Sequence, residues 1–199
     1  MDLHNQALNI SKNASRSVSV LNAHIQNGKI TLDDLDKAKD FFPAIAFLNA
    51  QAKSPKIDDF IRKKTGHQYV ASTLGRGDGV DVKNNQYYEY KISTSNKDNK
   101  INAVQLRPWQ QIDFYLLGYI NEDNFSNSRL YLLTHNQIVQ ECQTMKAGAM
   151  HGTQVANQQN KHVELALRLP IDPISINFRR FEKNYRANKL ERVIFQNWK

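Results

Sequence analysis

"GRGDGVDVKNNQYYEYKIS", residues 75–93, decides how this chain is read. Its second half, "QYYEYKIS", is rich in aromatic and β-branched residues, and Asn84-Asn85 supplies turn material before it, so the stretch predicts a β-hairpin. In an extended strand Glu89 and Lys91 point to one face, while Tyr88, Tyr90 and Ile92 point to the other. With a two-residue turn, Asp78 lies opposite Lys91 and Val80 opposite Glu89; with a three-residue loop, Asp81 faces Glu89 instead. Either register brings one Asp, one Glu and one Lys together.

Two carboxylates on one face repel unless a cation sits between them. Mg²⁺ suits that position, because it is hard, takes oxygen ligands and is commonly held by one or two carboxylates plus a substrate phosphate. A neighbouring lysine can hold a phosphate or help deprotonate a water. These are the groups needed to hydrolyse a phosphodiester.

The spacing "D78-(x10)-E89-Y90-K91" resembles the PD-(D/E)xK motif of the restriction-endonuclease-like nuclease superfamily. The local string is most similar to small type II restriction enzymes of the PvuII kind, in which a G-x-D-x-V-D stretch precedes Y-E-x-K-S. The close similarity covers about a tenth of the chain, and the order of elements extends it more weakly over residues 54–145. The resemblance implies that Asp78 and Glu89 bind Mg²⁺, with the backbone carbonyl of Tyr90 as a further ligand and Asp81 as the alternative to Asp78. It also implies that Lys91 orients or activates the water. One departure is that Gly77, not proline, precedes Asp78.

The whole chain agrees with a soluble nucleic-acid enzyme. It has 199 residues, a net charge of +8 and one cysteine. The positive balance favours a polyanionic partner. A single cysteine, Cys142, excludes a disulfide framework and reads as a plain structural thiol. No apolar run approaches a membrane span and no signal peptide is evident, so an intracellular, cytoplasmic protein without a membrane partner is expected.

Around the hairpin, "SPKIDDFIRKKTG" predicts a helix capped by Ser54, with Pro55 at its first position and Gly66 as its stop. "QYVAS", "IDFYLLGYI", "RLYLLT" and "HVELALRL" read as strands. Thr134 and Gln137 form a capping box for a helix at "HNQIVQECQTMK". "DPISINFRRFEKNYRANKLERVIF" reads as a closing basic helical region. Trp109 and Trp198 are expected to pack. Together these elements predict a mixed α/β fold with a restriction-endonuclease-like core, a mixed β-sheet flanked by helices. Residues 1–53 form an expected N-terminal helical region that could serve a dimer contact, and residues 54–199 the nuclease core.

"STSNKDNKINAVQLRPWQQ", residues 93–111, is dense in groups that read base edges or grip phosphates. It supplies Ser93, Asn96, Lys97, Asn102, Gln105 and Arg107 as DNA-contact candidates, the other reading being a solvated loop with a helix start at Pro108. His151, in a glycine- and asparagine-bearing loop, is a further one. Arg180 and Lys183 on the closing helix could steer phosphates. The expected function is a Mg²⁺-dependent type II restriction endonuclease on double-stranded DNA. It would act as a two-fold homodimer on a palindromic site, with a companion DNA methyltransferase in the same system. The same motif also fits a structure-selective junction or repair nuclease, and the basic charge alone fits a non-catalytic DNA-binding module.

Overall fold

The computed structural model describes residues 50–94, 99–121, 127–145 and 164–195. The chain enters through helix α1 (Ala50–Thr65), which Gly66 ends at φ +74°. Ser54 is not its cap, because the helix already runs from Ala50 and holds Pro55 inside it. The boundary expected at residues 53/54 therefore falls within α1, and the rest of the expected N-terminal region, with its dimer contact, lies outside the described residues. Three strands follow: β1 (Gln68–Tyr69), β2 (Gly79–Asp81) and β3 (Gln86–Thr94). Next come β4 (Lys100–Leu106), β5 (Phe114–Ile120), β6 (Arg129–Thr134) and helix α2 (His135–Thr144). Strand β7 (Leu165–Pro170) and helices α3 (Ile176–Tyr185) and α4 (Asn188–Ile194) complete the order.

The fold is mixed α/β. A five-stranded sheet has the order β1-β2-β3-β5-β6, with β3 and β5 parallel and the other neighbours antiparallel. A second, two-stranded sheet pairs β4 with β7. β4 corrects the solvated-loop reading: the polar stretch after the motif is a strand that buries Ile101, Ala103 and Leu106.

Parallel pairing sets Glu89 beside Tyr115 and Lys91 beside Leu117. Aligned residues of neighbouring strands share a face, so the charged face of β3 continues directly into the main core. There Tyr115, Leu117 and Tyr119 pack with Tyr131 and Leu133 of β6, with Ile101 and Ala103 of β4, and with Phe178 and Phe181 of α3. Cys142 lies in the same core, and burial pushes its thiol up to about 11, as a structural cysteine requires. Trp109, expected to pack, is instead 42% exposed.

The edge strand β6 is closed by the α3–α4 connection. The Ala187 amide donates to the Leu130 carbonyl at 2.8 Å, and the buried Glu191 carboxylate accepts the Leu130 amide at 2.9 Å. Covering an edge in this way removes a template for aggregation. Among the described residues no helix is long and apolar enough to cross a membrane.

Candidate active site

The hairpin register differs from both expected ones. Val80 stands opposite Tyr87 and Asp81 opposite Gln86. The turn has four residues, 82–85, rather than two or three, and only the second asparagine, Asn85, takes a left-handed φ of +52°. Asp81 is the physical reason. Its carboxylate accepts the Lys83 amide at 3.0 Å and the Asn84 amide group at 2.7 Å, which fixes a wider turn. The Asn84 bond, first among these contacts, holds the exposed Asp81 carboxyl below its ordinary range. Asp81 is therefore committed to the turn and is not brought to Glu89.

The paired register ends at Gly79 opposite Tyr88, and Asp78, one residue before it, is held against β3 by two bonds. The Asp78 amide donates to the Tyr88 carbonyl at 2.8 Å, and the Asp78 carboxylate accepts the Tyr90 amide at 2.8 Å. The residue before it must be glycine. Gly77 has φ +88°, and a Cβ there would come within 2.5 Å of the Tyr88 carbonyl oxygen. The absence of proline at this position thus has a steric cause: the loop crosses β3 where no side chain fits.

Lys91 and Glu89 form an ion pair, Nζ to Oε1 at 2.6 Å, with side chains only 21% and 12% exposed. Burial raises the Glu89 carboxyl above its ordinary range. Asp78 adds to the rise and Lys91 opposes it.

The sequence reading missed one residue. Asp58 of α1 is half-buried within reach of the charges of Asp78, Lys91 and Glu89, and its carboxyl is pushed up to about 7. Burial is the main cause and Asp78 the next, while Arg62 and Lys91 act against them. The signal was the acidic pair Asp58-Asp59 set in a helix otherwise rich in lysine and arginine, with Asp58 adjoining the buried Ile57 and Ile61. Arg62 ties α1 to the hairpin. It donates to the Asp78 carbonyl at 3.0 Å and pairs with Asp59. Behind the strand, the buried Tyr90 hydroxyl lies 2.8 Å from Nδ1 of His67. Among the described residues no three His, Cys, Asp or Glu side chains already form a cage for an ion.

The expected DNA contacts separate into groups. Ser93 and Asn102 come together, the Asn102 amide donating to Ser93 Oγ at 2.8 Å. Gln105 is exposed at a β-bulge between Ala103 and Leu106, with φ +55°. Arg107 donates to Glu164 at 2.8 Å, and its charge also acts on Glu89. Lys183 is exposed on α3. The Arg180 guanidinium grips the buried Glu141 at 2.6 and 2.5 Å and clamps α2 to α3, with its side chain still 35% exposed. Asn96, Lys97, His151 and Trp198 lie outside the described residues.

No family model matches this chain, and no curated protein or solved structure matches it. The site is therefore read from its own geometry.

Proposed function

We propose that the protein is a Mg²⁺-dependent deoxyribonuclease with a restriction-endonuclease-like core, acting on double-stranded DNA as a type II restriction enzyme. The observation that carries this reading is the meeting of Asp78, Glu89 and Lys91 on one hairpin, with Asp58 brought to them by α1. A structural salt bridge needs one acid and one base. Here the charges of three carboxyls act on one another, and burial first, then Asp78, holds Asp58 and Glu89 above their ordinary range against the pull of Lys91 and the nearby arginines. Raised carboxyls at a partly open position are what a bound divalent cation would stabilise in their charged form.

The donors suit Mg²⁺, being oxygen only and few, which leaves positions for water and phosphate. Asp78 and Glu89 would hold it, with the carbonyl of Tyr90, next after Glu89 on β3, and the Asp58 carboxylate as further oxygen donors. When bound, Mg²⁺ supplies the charge that polarises the phosphoryl group. The chain's own residues supply the rest. The Tyr90 amide fixes the Asp78 carboxylate, and Arg62 fixes the loop that bears it. Lys91 orients the attacking water and assists its proton transfer. A palindromic site calls for a two-fold homodimer, and host protection for a companion methyltransferase.

Incubation with plasmid DNA and Mg²⁺, followed by mapping of the ends, tests this. Discrete fragments with defined ends are expected. Cutting confined to branched DNA would make it a structure-selective nuclease, and DNA binding without Mg²⁺-dependent cutting would leave a binding module.

A further inference from the structure

Arg76 stands between two glycines of left-handed backbone, Gly75 at φ +61° and Gly77 at φ +88°. The loop folds back there and lays the Arg76 guanidinium over the Tyr87 ring, 5.1 Å from its centroid, with Nη1 donating to the Tyr87 hydroxyl at 3.1 Å. Tyr87 lies two residues before Glu89 on β3, so the two share a face. Beyond Tyr87 opens a groove of about 430 Å³, walled by Gln110, Gln111, Asn85, Asp113 and His135.

The groove's walls carry donors and acceptors side by side on Gln110, Gln111, Asn85 and Asp113. Asp113 is held in place: its carboxylate accepts the Tyr87 amide at 2.8 Å and its carbonyl accepts the His135 amide at 3.0 Å. A phosphate would meet that carboxylate and only one cation, Arg76. A base edge offers both donors and acceptors, and matches the set better. Glutamine pairs with adenine, a carboxylate accepts from cytosine, and an aromatic ring bearing an arginine gives a flat stacking rim. The distance also suits. Two residues of strand span about 6.6 Å, close to two nucleotide steps of about 3.4 Å each along one DNA strand.

We propose that this groove reads a base about two nucleotides from the bond cut at Glu89 and Lys91, a role that rests on the nuclease reading above. Gln110 and Gln111 are the specificity-determining residues, and Arg76 on Tyr87 forms the rim.

The test is to select bound duplexes from a random-sequence DNA pool in Ca²⁺ and to sequence the cut ends of the same pool in Mg²⁺. Wild type, Gln110→Ala and Gln111→Ala are compared after thermal melts show that all are folded. Wild type is expected to enrich a consensus. At least one variant should accept any base at one position, losing about 5- to 150-fold in discrimination there, with the other positions unchanged. The proposal is overturned if both variants keep the wild-type consensus or weaken every position equally. It also falls if wild type enriches no sequence, and cutting in that case would leave the nuclease reading standing. Selective binding with no cutting would instead sink the nuclease reading, while a relaxed position in a glutamine variant would keep the groove as a reader of DNA.

Discussion

Two places where this molecule sets shielded acidic side chains beside basic ones differ in how the charge is settled. At the α2–α3 clamp, Glu141 is buried, and burial alone would raise its carboxyl. Two bonds from Arg180 and one from Tyr185 at 2.8 Å outweigh burial and hold it below its ordinary range. At the hairpin, Lys91 and Arg107 act on Glu89, and Arg62 and Lys91 on Asp58, yet burial outweighs them and both carboxyls stay raised. The first arrangement is complete within the chain. The second leaves its carboxyls raised, and under the proposed function a bound cation would complete it.

The comparison breaks most visibly through activity. Asp78→Ala and Glu89→Ala are expected to abolish Mg²⁺-dependent cleavage, and Lys91→Ala to slow it about 10²–10⁴-fold while DNA binding in Ca²⁺ persists. Asp81→Ala should cut nearly as wild type, because Asp81 serves the turn. Single-turnover assays on plasmid DNA read all four. Near wild-type cutting by the Asp78 or Glu89 variant would remove that residue from the site.

The clamp predicts the opposite pattern. Arg180→Ala leaves the Glu141 carboxylate buried and under-bonded, at a cost of about 1–3 kcal/mol in stability, and residual cleavage by the folded fraction should stay normal. Chemical denaturation checks the first half and kinetics the second. A variant of full stability that had lost DNA binding would return Arg180 to the phosphate-contact role expected from sequence.

Asp58 sharpens the contrast through pH. Its folded pKa, about 7, lies above the unfolded value of about 3.9, so the native state holds a proton that the unfolded state releases. Stability from this group is fully present below about pH 4 and is lost as pH rises to about 7. Asp58→Asn removes the penalty. In the absence of divalent cations the variant should match wild type at pH 4 and exceed it at pH 8 by about 1–2 kcal/mol, because water access reduces the roughly 4 kcal/mol that three pKa units would give. Melting curves at the two pH values decide it. Equal stability at pH 8 would mean that Asp58 is not held in an unfavourable charge state.

How much of this was legible in the sequence depends on whether the signal was local. The Thr134–Gln137 capping box and the strand before it stand where the residues put them, since a cap and a short apolar run are decided by neighbours. β4 was hidden. Its Asn, Gln and Lys content reads as loop, and the bulge at Gln105 breaks the two-residue period that would have joined Ile101 and Ala103 to Leu106. The convergence of Glu89 and Lys91 was legible from alternation, but the register was not, because Asp81 shapes the turn through its side chain. Asp58 comes from a helix distant in sequence, and only tertiary packing brings it to Asp78.

The smallest expected effect concerns the one exposed cation of α3 named for phosphate contact, Lys183. It lies on the same helix as Arg180 but is exposed, where Arg180 is held by Glu141. If Lys183 grips phosphate, Lys183→Ala should weaken binding to every DNA sequence alike and lower the salt dependence by about one unit of log–log slope. Stability should change by less than about 0.5 kcal/mol, as for an ordinary surface position. Titrations on two unrelated duplexes at two salt concentrations, with Arg180→Ala beside it, separate the cases. A clamp residue moves stability and leaves the slope alone; a steering residue does the reverse. An unchanged slope in the Lys183 variant would take Lys183 out of the DNA interface and leave its charge on a solvated face.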